Sequence, residues 1–75
     1  MFSNNNLSVL AYANGFTLWH YRGGDTLETI EKAGYFNPAY NMLRVGDIIF
    51  ITYEFGVAIR VVTLNDPSVL IAKAD

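Results

Sequence analysis

Two segments of this chain, IIFITY at residues 48–53 and VAIRVV at residues 57–62, are apolar at nearly every position rather than at every second one. Their Ile, Val, Phe and Thr content suits the pleated surface of a β-strand. A strand with one wet face alternates apolar with polar residues, whereas continuous apolarity means that both faces are covered. Whatever this chain folds into must therefore bring a layer to each side of its sheet. A short helix, a barrel interior and another chain are the three covers open to it.

Seventy-five residues are few for that task, and they make a single domain, 1–75. For a mass of 8.4 kDa, area scaling gives about 12,000 Å² exposed when unfolded and about 4,600 Å² when folded. If ~60% of the difference is apolar, its burial at ~25 cal/mol/Å² contributes about 110 kcal/mol. Ordering the chain at ~1.5 kcal/mol per residue costs about the same. An isolated monomer is marginal on this balance. With no cysteine there is no disulfide, and one histidine without cysteine is a poor basis for structural zinc. Association is the remaining device. The composition favours it: 52% of residues are hydrophobic and 16% charged, against about 25% charged in an ordinary soluble domain.

Local signals place the other elements. LSVLAYANGFTLWHYR reads as a β-hairpin, with Leu7 to Ala13 and Phe16 to Tyr21 flanking Asn14-Gly15, the pair suited to a type I′ turn. Gly23-Gly24 breaks the second strand, and Asp25 opens a short helix, TLETIEKA, with Asp25 and Glu28 close to a capping box and Gly34 as the C-cap. Asn37-Pro38 starts a second short helical turn, PAYNML. Strands are then expected from Asp47 to Glu54, Val57 to Leu64 and Val69 to Ala74, joined by turns at Phe55-Gly56 and Asn65-Asp66-Pro67. The fold class is thus a β-rich α+β domain: an N-terminal hairpin, two short helical segments and a C-terminal three-stranded antiparallel meander. Closure of the strands into a small barrel is left open.

Candidates for chemistry are thin. His20 stands in Trp19-His20-Tyr21, with Asp25, Glu28 and Asp47 as carboxylates and Ser3, Ser8 and Ser68 as hydroxyls. A hydrolytic triad needs its base within reach of both nucleophile and orienting acid, and no motif around a serine supports one. His20 reads as a packed strand residue. The glycines form neither a phosphate loop nor a dinucleotide fingerprint. Asp47, following Gly46, reads as an acceptor for nearby backbone N–H groups rather than a metal ligand. No catalytic, cofactor or metal site is expected, and no small-molecule substrate.

The aromatic residues are numerous enough for a base-stacking platform, but such platforms pair rings with a basic groove. Arg22, Lys32, Arg44, Arg60 and Lys73 are scattered, and the net charge is −2, so no nucleic-acid partner is expected. Apolar runs from Leu7 to Ala13 and Ile48 to Tyr53 fall far short of the ~20 residues that span a bilayer, so no membrane partner is expected. MFSNNN has no basic n-region, so a soluble chain without a cleaved leader is expected.

The succession LAYANGFTLWHYR, then DTLETIEKAGYFNPAYNMLRVGDII, resembles small virion structural proteins and fibre-linked modules of tailed bacteriophages and prophages. The similarity runs from Leu7 to about Ile51; the last two strands carry no part of it. In that group a helix beginning Asp-Thr leads to Gly-Tyr-Phe-Asn, a Leu-x-x-Gly-Asp turn and an apolar strand. The resemblance implies a capsid-decoration, spike-base or fibre-attachment component without catalytic residues, located in the virion after assembly in the host bacterial cytoplasm. It also implies a symmetric homo-oligomer in contact with other virion proteins; the marginal monomer balance and the two-sided apolar strands Ile48 to Tyr53 and Val57 to Val62 lead to the expectation of a closed oligomer, with a trimer favoured. Tyr and Trp suit interfaces, having large area and a polar handle, so the expected partner contacts are Trp19, Tyr35, Phe36, Tyr40, Tyr53 and Phe55. Two readings from other classes stand beside it: a small nucleic-acid-binding β-barrel, and a small phage-encoded enzyme or lysis factor using His20.

Overall fold

A computed structural model describes residues 1–65 and 68–73. Five strands make one mixed sheet in the order β1-β2-β3-β4-β5: β1 Leu7–Ala13, β2 Phe16–Arg22, β3 Ile48–Tyr53, β4 Gly56–Asn65 and β5 Val69–Lys73. Among the described residues, helical structure is confined to α1, Leu27–Ile30, and two 3₁₀ turns at Asn4–Asn6 and Asn37–Ala39. None of these helices is long and apolar enough to cross a membrane. The Asp66-Pro67 part of the expected last turn and the expected strand end at Ala74 lie outside the described residues.

The hairpin forms where it is expected, with Ala13 opposite Phe16 beside the turn, and a one-residue shift between Val9 and Ala11 brings Leu7 opposite Tyr21. Its turn is not of type I′. That type needs positive φ at both central residues, and here only Gly15, at φ 96°, takes it while Asn14 does not. Glycine alone carries the left-handed step. β3, β4 and β5 pair antiparallel in succession, but they do not stand apart from the hairpin. β2 and β3 run parallel, from Leu18 beside Ile48 to Arg22 beside Thr52, and weld the two halves into one sheet. A parallel pair needs a crossover, and the segment 23–47 with its short helices provides it.

That crossover also explains why the sheet stays open instead of closing into a barrel. Ile30, Phe36, Ala39 and Leu43 come from the crossover and are buried against Trp19, Tyr21, Ile49, Ile51, Val62 and Val69 of the sheet. They fill the side that a barrel interior would occupy, and β1 and β5 remain edges.

The helices are shorter than the sequence predicts, and the side chains expected to cap them are used elsewhere. Asp25 is not the N-cap, because its carboxylate is held by the Met1 amino group and by the Tyr35 hydroxyl at 2.7 Å. Thr26 caps instead, its side chain accepting from Thr29 N at 3.2 Å, and the helix ends after one turn at Ile30. The second segment tightens to a 3₁₀ turn whose Asn37 side chain caps nothing. Asn37 Oδ1 instead accepts from Val69 N at 2.8 Å, while Gly34 N, in the turn after the helix, donates to Val69 O at 3.1 Å. Together they occupy the backbone groups of Val69 as a neighbouring strand would.

Candidate interaction surface

Alternation along the strands sorts the sheet into two faces. Odd positions of β2 and β3 (Thr17, Trp19, Tyr21, Ile49, Ile51) point to the crossover and are buried, as are Ala58, Arg60 and Val62 of β4. Even positions point the other way. Pairing aligns them into rows across the sheet: Ala11, Leu18, Ile48, Val61 and Ala72 in one; Ser8, His20, Phe50 and Ile59 in the next; Arg22, Thr52 and Val57 in the third. None of these residues belongs to the buried cluster or packs against it. Val57 and Ile59 are 67% and 47% exposed. Continuous apolarity in β3 and β4 implied two covers, and the described chain supplies one of them.

The expected partner contacts divide sharply. Trp19 and Phe36 are corrected to core residues, both fully or almost fully buried. Trp19 Nε1 donates to Asp47 Oδ2 at 3.0 Å, which explains why the indole faces inward. Phe36 packs edge-on against Phe2, Tyr21 and Tyr35, with ring centroids 5.2–5.4 Å apart. Tyr35 and Tyr53 are half-buried against the same core. Only Tyr40 at 61% and Phe55 at 83% exposure are free to meet another molecule. Phe2, Tyr21, Tyr35 and Phe36 therefore stack on one another on the crossover side, and the open face holds just two rings in its strands, Phe16 and Phe50.

Polar groups inside the fold are tied up structurally. Asp47 is buried and accepts three hydrogen bonds at 3.0 Å, from Thr17 N to Oδ1 and from Trp19 Nε1 and Arg44 N to Oδ2. It holds the turn before β3 against the start of β2, the backbone-binding role expected for it. Tyr35 donates to Asp25, so in the contact between Tyr21 and Tyr35, at 2.9 Å, Tyr21 is the donor. Tyr21 in turn accepts from Ser3 N at 3.0 Å. The Met1 amine and the Tyr35 hydroxyl hold the Asp25 carboxyl below its usual range. Burial, with the hydrogen bonds to Tyr21 and Asp25, raises the Tyr35 phenol well above the ordinary tyrosine value. On β4, the buried Arg60 pairs with Glu31 at the end of α1 and donates to Ile59 O at 2.8 Å.

His20 lies half-buried on the open face, where its Nε2 shares a 2.9 Å hydrogen bond with Thr52 Oγ1. Ser8 stands opposite it in the β1–β2 register. The candidate carboxylates are elsewhere: Asp47 is locked on the other face, and Asp25 is bound to Met1 and Tyr35. Among the described residues, no three of His, Asp and Glu come together as a metal site would require.

What fold and surface define is a class: a small mixed-sheet α+β module with a helical layer on one side and an apolar sheet face on the other. Comparison with protein families, with characterised proteins and with solved structures finds no match to this chain.

Proposed function

We propose that this protein is a structural assembly component that works as a homo-oligomer through apolar surface. Its setting is a phage or phage-like particle, in a capsid-decoration, spike-base or fibre-attachment role beside other virion proteins. The observation that carries assembly is the open sheet face, with its first row apolar across all five strands and Val57 and Ile59 standing in solvent. The largest apolar patch of a soluble protein is often its interaction site. The setting in a particle is supported by the resemblance of residues 7–51 described above.

Two measurements test the reading. Sedimentation velocity over a range of concentrations should give an associated species at micromolar protein; a well-folded monomer there would overturn assembly. Mass spectrometry of purified particles from the encoding phage or prophage should detect the chain in stoichiometric amount. Its absence would remove the particle while leaving association standing.

A further inference from the structure

We infer that the cover for the open face is the same face of a second copy, packed sheet on sheet about a two-fold axis. This rests on the assembly reading and names its first contact. The twelve residues of the three rows, at ~4.8 Å between strands and ~6.6 Å between same-face neighbours, give a flat footprint of about 380 Å². Two such faces cover about 760 Å² before side-chain relief, which raises the accessible area buried toward the ~1,200 Å² at which stable interfaces begin. A helix laid across one part of the face would leave much of it wet, whereas a second sheet matches it in width and length. Stacked sheets pack about 10 Å apart with interdigitating side chains.

Charge permits the pairing. Arg22 is the one charged residue in the three rows, and it sits at the end of β2. A two-fold axis lying in the interface and across the strands sends the two Arg22 side chains to opposite rims. On the face, His20 Nε2 and Thr52 Oγ1 bind each other, so burial orphans neither of these two atoms, and Ser8 stands on the edge strand β1.

The rival surface is the β1 edge, whose Val9, Leu10 and Tyr12 are also exposed. There the register slips between Val9 and Ala11, leaving Leu10 as a bulge. A bulge interrupts the ladder and twists an edge away from edge-to-edge pairing. In the middle of the face the β2–β3 and β3–β4 registers are unbroken, and the second shift, between Val62 and Leu64, lies at the β5 edge.

The test compares the wild-type chain with Ile59→Lys on the face and Val9→Lys on the edge. Both residues are exposed, so both variants should keep the wild-type circular dichroism and Trp19 emission. Wild type and Val9→Lys should sediment at twice the chain mass. Ile59→Lys should raise the dimer dissociation constant about a hundredfold or more, as an unpaired charge at an interface centre does. An associated wild type whose mass Ile59→Lys leaves unchanged, or which Val9→Lys dissociates instead, overturns the face and leaves assembly standing. So does a trimer, the state favoured from sequence, because one self-complementary face closes at two copies. A monomeric wild type overturns both.

Discussion

Replacing Asp47 by Asn is the sharpest probe of how the two halves of this sheet are joined. The carboxylate accepts from Thr17 N, Trp19 Nε1 and Arg44 N, all at 3.0 Å, in a site closed to solvent. An amide has one oxygen. Turned toward Trp19 and Arg44, it keeps two acceptances and points its NH₂ at the Thr17 N–H, donor against donor. A hydrogen bond to a charged group contributes about 1.5–3 kcal/mol, and the two that survive weaken to neutral strength, roughly half. The net loss is about 3–6 kcal/mol. A chain of this length has a total stability of only about 4–11 kcal/mol, and each kcal/mol moves Tm by ~4–8 °C in a domain this small. Urea unfolding followed by circular dichroism, at one fixed protein concentration because association also stabilises, should show a clear fall in midpoint at unchanged slope. Trp19→Phe removes one of the three donors, so Asp47→Asn and Trp19→Phe should be non-additive by about 1 kcal/mol. A wild-type midpoint in Asp47→Asn, or strict additivity with Trp19→Phe, would show that this carboxylate does not hold the sheet together.

Other consequences are more local. Gly15 alone carries positive φ in the hairpin turn, so Gly15→Val should destabilise by about 1–3 kcal/mol in thermal melts. Phe36→Ala empties a fully buried site and should cost about 3–5 kcal/mol, whereas Phe55→Ser at an exposed turn should stay within about 0.5 kcal/mol; equal effects would contradict their placement. The folded state favours the protonated Tyr35 phenol, so its stabilisation is complete below about pH 10 and is lost as pH rises beyond it. Tyr35→Phe should flatten that alkaline decline. The depressed Asp25 carboxyl acts in the opposite sense, with stability present above about pH 4 and lost as pH falls below it. Asp25→Asn should remove that part of the acid transition.

Particular residues show how far local information reaches. Strand positions, the two-residue hairpin loop and the bond of Asp47 to its own turn at Arg44 N were legible because pleat alternation, turn chemistry and the Gly-Asp step act over a few neighbours; the reach of Asp47 to Thr17 and Trp19 was not. The doubly apolar β3 and β4 also announced that two covers were needed. Helix lengths were misjudged where a side chain had a distant use: Asp25 is taken by Met1 and Tyr35, and Asn37 by the backbone of Val69. The aromatic residues could not be sorted from sequence at all. Trp19 and Tyr40 are equally suited to an interface by type, and only the reach of Trp19 Nε1 to Asp47, 28 residues away, turns one of them inward.

Sequence alone thus determined that this chain is a β-rich domain with more apolar strand surface than its own helices can shield. Tertiary structure decided that β2 and β3 run parallel, that the crossover covers one side only, and that the sheet stays open. Those choices rest on contacts between residues distant along the chain, such as Thr17 with Asp47 and Gly34 with Val69. Propensity and periodicity are properties of a residue and its near neighbours. Strand order and the bare face depend instead on which distant segments exclude water together, which becomes defined only when the whole chain is packed.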